Sequence, residues 1–429
     1  MPSEKGGRTS MSVKELEATK PLPFHVPHKA ARQEAYVTRA LATGKFGSGG
    51  WFSNEAERWL VDRAGCRRAV LTGSCTAGLE IAALALGVGP GDEVIVPTFT
   101  FCATATAFER TGARIVFCDI DPATMMMDVA DVERRITSRT RVILVVHYGG
   151  AAADLGRLGA IAERRGIHLV EDAAQGFGST WNGRALGSFG TFGALSFHET
   201  KVVGCGQGGA LLVNTDDPVL LDRVDEIIER GTDFSLVKSG AKAFYEWTSP
   251  GSSFRLGELQ AALLLAQFEE FDEMLALRRR LGDAVLQALD VRRLPLRLLR
   301  ADPHTAGNHH FIGAVADSER IADALMRHLQ RCGIDARAHY VPLHLSPRAR
   351  QMGYAVSLPN AEGVWKRLVR LPVHTAMTEG DVDRCVRSVN DVRTWSCEGA
   401  SDPGPSFATA KRPARRYSAA ARRPSRSAA

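Results

Sequence analysis

Apolar bursts rich in β-branched residues recur through the first two-thirds of the chain, each followed by turn residues and then by a stretch of helical spacing. "DEVIVPTFT" (92–100), "ARIVFCDID" (113–121), "RVILVVHYGG" (141–150) and "IHLVEDAAQ" (167–175) read as strands, as do the shorter "GALSFH" (193–198) and "GGALLVNT" (208–215). Between the third and fourth of these, "DLGRLGAIAERRG" carries helical periodicity. Buried strands alternating with helices of about 10–15 residues predict an α/β domain with a mainly parallel sheet. In such sheets ligands gather beyond the carboxyl ends of the strands.

The character changes after "SPGSSFRLGE" (249–258). Leu259, Leu263, Ala266 and Phe271 recur near a 3.6-residue period, which predicts one long helix from Glu258 to Leu281. From about Arg292 to Trp395, segments such as "HHFIGAVA" and "RIADALMRHLQRCGI" predict a smaller α+β domain. The expected division is a flexible N-terminus (1–20), a large domain (21–257), the long helix with a small C-terminal domain (258–397), and a disordered basic tail (398–429).

Composition changes this picture only at the edges. The chain has 429 residues, 45% hydrophobic and 24% charged, as expected of a soluble protein with a sizeable core. The formal charge is +6, but the last 19 residues hold seven Lys/Arg and no acid, so the rest carries −1. The body is therefore not a nucleic-acid surface, and no nucleic-acid partner is expected. From about Glu398 onward the composition is mainly Ser, Ala, Pro, Gly and Arg, too poor in apolar groups to offset its ordering entropy. No apolar run approaches the roughly 20 residues of a membrane span, and the first 20 residues lack the apolar core of a secretory signal. The eight cysteines are spread singly, without metal-like spacing. That pattern suggests reduced thiols in a cytosolic protein, and no metal site is expected.

Three segments carry candidate chemistry. In "GSCTAGLE" (73–80), Ser74, Cys75 and Thr76 precede a run of strong helix formers, so free amides and a hydroxyl meet at a helix N-terminus, a ready anion site. Taken alone, Ser74 is equally an ordinary N-cap. In "VEDAAQGFGS" (170–179), Asp172 ends a strand with Gln175 three residues on. There the carboxylate would pair with a cation and the amide with a phenolate, or Asp172 would merely cap a following helix. In "SFHETKVVGCGQGGA" (196–210), Lys201 follows an apolar run and precedes Gly204, Gly206, Gly208 and Gly209, which permit close approach to a ligand. A surface turn can look similar, but a lysine in a desolvated pocket becomes a nucleophilic amine. Together the three describe a site for pyridoxal phosphate: an anion cradle, an aspartate that keeps the pyridine nitrogen protonated, and a Schiff-base lysine.

At these residues the chain resembles the DegT/DnrJ/StrS family of nucleotide-sugar aminotransferases, through "GSCTAGLE", "GDEVIVPTFTF", "VEDAAQGFGS", "SFHETK" with "GQGGA", and "FRLGELQAALLLAQFEEFD". The likeness runs from about Pro21 to Trp395. It implies the fold type I architecture of pyridoxal phosphate enzymes and activity as a homodimer with shared sites. It implies Lys201 as the Schiff-base residue, Asp172 at the pyridine nitrogen, and Gln175 at the phenolic oxygen. Ser74, Cys75, Thr76 and Ser196 would surround the phosphate, and Phe101 would stack on the ring unless it packs in the core. Ser253 would reach the neighbouring subunit's phosphate, where many relatives carry asparagine. Val202 and Gln207 also depart from the asparagine and glutamate common in relatives. His198 is expected as a structural histidine within the strand.

"SFHETK", "GSSFRLGELQAA" and "HYVPLH" are most similar to the branch that aminates TDP-4-oxo-6-deoxy-D-glucose to TDP-4-amino-4,6-dideoxygalactose. Thr232, His339, Tyr340 and His344 lie in segments that line the sugar site in the family, or pack one domain on the other. An amino-acid donor, L-glutamate, and a nucleotide-sugar acceptor follow, with a 3-keto or UDP-linked sugar as the alternative. A sugar dehydratase using the same cofactor is a further reading, but enzymes of that branch carry histidine where Lys201 stands. A non-catalytic regulator of the same fold is the last.

Overall fold

The computed structural model describes residues 20–395, so the basic tail and most of the expected flexible N-terminus lie outside the described residues. The body is built on a seven-stranded sheet. Its members are β1 (Arg68–Thr72), β2 (Glu93–Pro97), β3 (Arg114–Cys118), β4 (Thr140–Val146), β5 (His168–Asp172), β8 (Phe192–Ser196) and β9 (Gly209–Val213), in the order β1-β9-β8-β5-β4-β2-β3. The pairs β2/β3, β2/β4, β4/β5 and β5/β8 are parallel, whereas β9 runs antiparallel to both β8 and β1. Alternate residues feed opposite faces. Ile95, Ile143 and Leu212 enter one apolar cluster, and Val94, Val142 and Leu211 enter the other. Burial on both faces is why these strands read as continuous apolar runs. β1 holds a shorter apolar run, Ala69–Leu71, and is not among the strands read from the sequence.

A hairpin of β6 (Thr180–Trp181) and β7 (Arg184–Ala185) turns at Asn182 and Gly183, whose φ values of 48° and 79° suit the Asn-Gly pair. It pairs with β11 (Thr305–Ala306). The smaller body is an antiparallel sheet of β10 (Leu296–Leu298), β12 (Ile312–Ala316) and β13 (Leu368–Leu371), covered by the helices Glu319–Arg331 and Glu379–Asn390. Leu22 joins its core, bonded to Gly333 and Asp335 through the backbone.

The single long helix expected from Glu258 to Leu281 is two helices, Glu258–Glu269 and Phe271–Ala288, broken at Glu270 (φ −102°, ψ 8°). Phe268 and Phe271 are both buried three positions apart, so the apolar period passes across the break unmarked. The break sets Glu269 and Glu270 against the N-terminal segment, where they bond Tyr36, Arg32, His28 and the amide of Ala31. Leu264, Leu265 and Phe268 pack in the large-domain core, while Leu281 and Val285 pack in the small one. Core membership therefore changes within the second helix.

Among the described residues no helix is long and apolar enough to cross a membrane. The seven cysteines among them are free thiols.

Candidate active site

The parallel strands all deliver their carboxyl ends to one edge of the sheet, and a cavity of about 480 Å³ opens there. β1 leads to Ser74, β2 to Thr100, β4 to His147, β5 to Asp172 and β8 to Ser196, and each of these lines it. β9 runs the opposite way, so its amino end contributes Gln207 and Gly208 to the same edge.

Ser74 caps the Cys75–Ala85 helix, its hydroxyl accepting from the amide of Ala77 at 3.1 Å. The cap does not exclude an anion site: the first amides of a helix have no carbonyl one turn earlier, and Cys75 and Thr76 line the cavity. No helix follows Asp172, so it is not a helix cap. Its Oδ2 accepts from the Thr104 hydroxyl at 2.7 Å and its Oδ1 from the amide of Ala174 at 3.1 Å, which holds the carboxylate rigidly at the wall. The thiol of Cys75 lies 3.8 Å from Oδ1. Burial first, and then the charge of Asp172, push that thiol well up, so Cys75 stays protonated and is no nucleophile.

Lys201 sits in the loop that doubles β8 back to β9 and lines the cavity beside Ser196. The loop is folded on itself by backbone bonds between Phe197 and Gly208 and between Glu199 and Gly206. Its glycines serve the protein more than a ligand. A Cβ on Gly209 would lie 2.4 Å from the amide nitrogen of Cys75, and one on Gly204 2.8 Å from the carbonyl of His198. Of the four, Gly206 has a positive φ, 89°. Val202 is buried in the core and does not face the cavity.

Burial lowers the pKa of Lys201; Cys75 and Asp172 act against this, and Arg370 adds to it. A lysine whose charged form is disfavoured releases its proton at lower pH, so more of it is the neutral amine near neutrality. In cofactor-free protein the Lys201 amine is expected to titrate below the ordinary value of about 10.4. Labelling by an amine-reactive reagent at graded pH, read at this residue by mass spectrometry, checks this. A midpoint at or above that of a free lysine would contradict it.

The facing wall carries Gln175, Phe101, His339 and Tyr340. Gln175 accepts from the amide of Gly149 at 2.7 Å and donates to the Tyr340 hydroxyl at 3.3 Å. The His339 and Tyr340 rings stack 3.8 Å apart, and the Nδ1 of His339 lies 3.2 Å from the Tyr148 hydroxyl. Burial lowers the pKa of His339 well below the usual imidazole range and pushes Tyr340 up to about 12. Both are therefore neutral hydrogen-bonding groups. Phe101 is 56% exposed and does not pack in the core.

Three expected residues stand apart from this cavity. Thr232 is buried, its hydroxyl donating to the carbonyl of Glu229. His344 is buried with Nδ1 2.6 Å from the Thr98 hydroxyl and Nε2 3.1 Å from Glu362, so both ring nitrogens are engaged elsewhere. Neither side chain lines this cavity. Ser253 is exposed and does not line the cavity. His198, expected inside the strand, lies two residues past the end of β8 and lines the cavity. Phe24, His310, Arg337 and Arg370 also line it and carry no local motif.

The residues present fit pyridoxal phosphate. A helix start with hydroxyls at Thr76 and Ser196, a fixed carboxylate at Asp172 and a desolvated amine at Lys201 share one cavity. The Nδ1 of His310, which lines the same cavity, is buried without a hydrogen-bond partner among the described residues. Among those residues no cluster of His, Cys, Asp and Glu would hold a metal ion.

Comparison with known proteins agrees with this chemistry. The sequence profile of the DegT/DnrJ/EryC1/StrS aminotransferase family matches residues 27–390. The spore coat polysaccharide biosynthesis protein SpsC of Bacillus subtilis (strain 168) is 32% identical over 382 residues, covering 86% of this chain and 97% of that protein. Among solved structures, the aminotransferase TlmJ from Streptoalloteichus hindustanus superposes with a TM-score of 0.80 at 29% identity, covering 88% of this chain and 100% of that one. Spr1654 from Streptococcus pneumoniae, a candidate sugar aminotransferase solved in a PLP form, superposes with a TM-score of 0.81 at 25% identity, covering 89% and 100%. Its PMP form gives the same score.

Proposed function

This chain belongs to the DegT/DnrJ/EryC1/StrS aminotransferase family, and from that premise we propose that it moves the amino group of L-glutamate onto a keto carbon of a nucleotide-linked 6-deoxyhexose. The family and its neighbours make it a pyridoxal phosphate-dependent sugar aminotransferase. The observation that supports amino transfer is Lys201 sharing one cavity with Asp172 and the helix start at Ser74–Thr76, and the choice of sugar and donor rests on the likeness of the segments to the family.

Bound there, the cofactor supplies a carbonyl carbon that accepts the donor's amine and a ring that stabilises carbanions. Lys201 would hold that carbon between turnovers. Once displaced by the donor, its Nζ would carry the proton taken from the donor's Cα and later deliver one to the sugar carbon. Asp172, already fixed by Thr104 and Ala174, would hold the proton on the ring nitrogen. The amides of Cys75 and Thr76 and the hydroxyls of Ser74, Thr76 and Ser196 would bind the phosphate. Gln175, held by the amide of Gly149, would turn its NH₂ to the ring's phenolic oxygen. Phe101 would cover the ring and, with the neutral His339 and Tyr340, exclude water and orient the sugar.

Ser253, exposed in one protomer, would reach the phosphate of a second copy in a homodimer. The acceptor we favour is TDP-4-keto-6-deoxy-D-glucose, giving TDP-4-amino-4,6-dideoxygalactose. SpsC, by its name, serves a spore coat polysaccharide; by that likeness the amino sugar made here would enter a polysaccharide.

The test is a panel of TDP- and UDP-linked 4-keto and 3-keto sugars, each incubated with holoenzyme and L-glutamate. The expected result is an amino sugar from the TDP-4-keto compound, formed one for one with 2-oxoglutarate. Release of water from the sugar without consumption of glutamate would put the enzyme in the dehydratase branch.

A further inference from the structure

Beside Asp172 lies a buried acid that the chemistry above does not use. Glu171 and His147 are both fully buried, and the Nε2 of His147 stands 2.9 Å from a carboxylate oxygen of Glu171. The same carboxylate accepts from the amides of Phe189 at 2.6 Å, Gly190 at 2.7 Å and Gly187 at 2.8 Å. A carboxylate out of reach of water needs such donors to offset its lost hydration. Three of them come from one backbone segment, 187–190, and hold Glu171 in place. The fourth is the imidazole, which Glu171 holds in turn.

The amide of Ala153 meets the other ring nitrogen of His147, Nδ1, at 3.2 Å. An amide N–H can only donate, so Nδ1 is the acceptor and the ring proton sits on Nε2, facing Glu171. The ring thus ties residue 147 to residue 153 and anchors both to β5, while the backbone amide of His147 donates to the carbonyl of Asp172 at 3.2 Å. Between the tied ends, Gly149 and Gly150 take φ values of 68° and 83°. The turn bonds there are long, 3.3 Å from Gly150 N to His147 O and 3.2 Å from Ala151 N to Tyr148 O. Adjacent glycines leave a chain free to take other shapes, so the shape of this loop depends on where its ends are fastened.

From this loop the amide of Gly149 donates to Gln175 at 2.7 Å. A donor must meet the carbonyl end of the glutamine amide, which leaves the NH₂ for the other side, where the Tyr340 hydroxyl lies 3.3 Å away. A glutamine turned the opposite way would offer its oxygen to the cavity and repel a phenolate. We propose that His147, anchored by Glu171, is a positioning residue that fixes Gln175 with its donor end toward the phenolic oxygen of the cofactor. The inference rests on the place given to Gln175 in the reading above.

Equilibrium binding of pyridoxamine phosphate to the full chain freed of cofactor tests it without turnover, with the analogue lacking the ring hydroxyl as second ligand. Loss of a hydrogen bond to a charged acceptor costs about 10- to 100-fold. Gln175→Leu is expected to weaken pyridoxamine phosphate by that factor and to leave the analogue nearly unchanged. His147→Gln keeps a donor for Glu171 but loses the acceptor for Ala153. It is expected to weaken pyridoxamine phosphate by about 10-fold, again sparing the analogue, a distinction that a merely structural role would not produce. His147→Asn, which keeps an acceptor where Nδ1 stands, is expected to show a smaller loss of the same kind. In the Gln175→Leu background neither substitution at His147 should add a further loss, because the effect passes through Gln175. If His147→Gln does not fold, His147→Asn carries the test. Equal weakening of both ligands in the folded His147 variants, a loss that persists without Gln175, or no loss at all would overturn the proposal. If Gln175→Leu itself weakens the two ligands alike, Gln175 does not serve the ring oxygen, and the proposal falls with that reading.

Discussion

Lys201→Ala is expected to lower amino transfer by about 10,000-fold, the upper end of what positioned acid–base catalysis supplies, while the variant still binds cofactor. The two halves of this expectation come from different groups. Turnover depends on an amine that is neutral enough to attack and then to shuttle a proton, and burial of Lys201 favours that state. Retention depends on the helix start, Ser196 and Asp172, none of which the substitution touches. Lys201→Arg separates charge from nucleophilicity, because a guanidinium does not deprotonate in a protein; it is expected to be as inactive as the alanine variant. Initial rates with L-glutamate and the keto sugar measure the loss, and ultrafiltration of bound pyridoxal phosphate measures retention. Activity in Lys201→Ala within about 10-fold of wild type would remove the lysine from the chemistry.

The second large effect is expected at Asp172. Asp172→Asn keeps the shape and can still accept the hydrogen bond from Thr104, 2.7 Å in the native chain, but it removes the charge that would hold a proton on the ring nitrogen. Loss of one preorganised charge at a reacting centre costs about 100- to 1,000-fold, and kcat is expected to fall by that much with little change in fold. Removing the carboxylate also removes an influence that raises the pKa of Lys201, so the lysine of the variant should titrate lower still. A nearly full kcat in Asp172→Asn would mean that the ring nitrogen does not depend on this residue. Thr104→Val, which deletes the supporting hydroxyl alone, is expected to have a smaller effect in the same direction.

The part of the site on the large domain was legible because a parallel sheet sorts chemistry by strand end. Asp172, Ser196 and the segment after "RAVLT" each follow an apolar run, and the fold gathers those ends at one edge. What the apolar pattern does not carry is the reversal at β9, since a buried strand reads the same in either direction. The other wall was hidden for a different reason. Phe24 and Arg370 stand 346 positions apart, and their contact at 4.8 Å exists only because the N-terminal segment crosses to the small domain.

His344 and Thr232 differ again: they lie in segments similar to the family's site, but here their side chains bond to Thr98 and Glu362 and to Glu229, away from the cavity. Likeness along a segment does not settle which of its side chains face the cavity. The glycines after Lys201 show the same limit. Their spacing points to a ligand, but at Gly209 the close neighbour is the backbone of Ser74 and Cys75.

The most direct measurement is the absorbance spectrum of the purified protein with pyridoxal phosphate, before and after L-glutamate. The account expects a long-wavelength band that depends on Lys201 and that glutamate converts to the pyridoxamine form, with 2-oxoglutarate released in equal amount. A protein that takes up no cofactor, or a band that no amino acid alters, would contradict it.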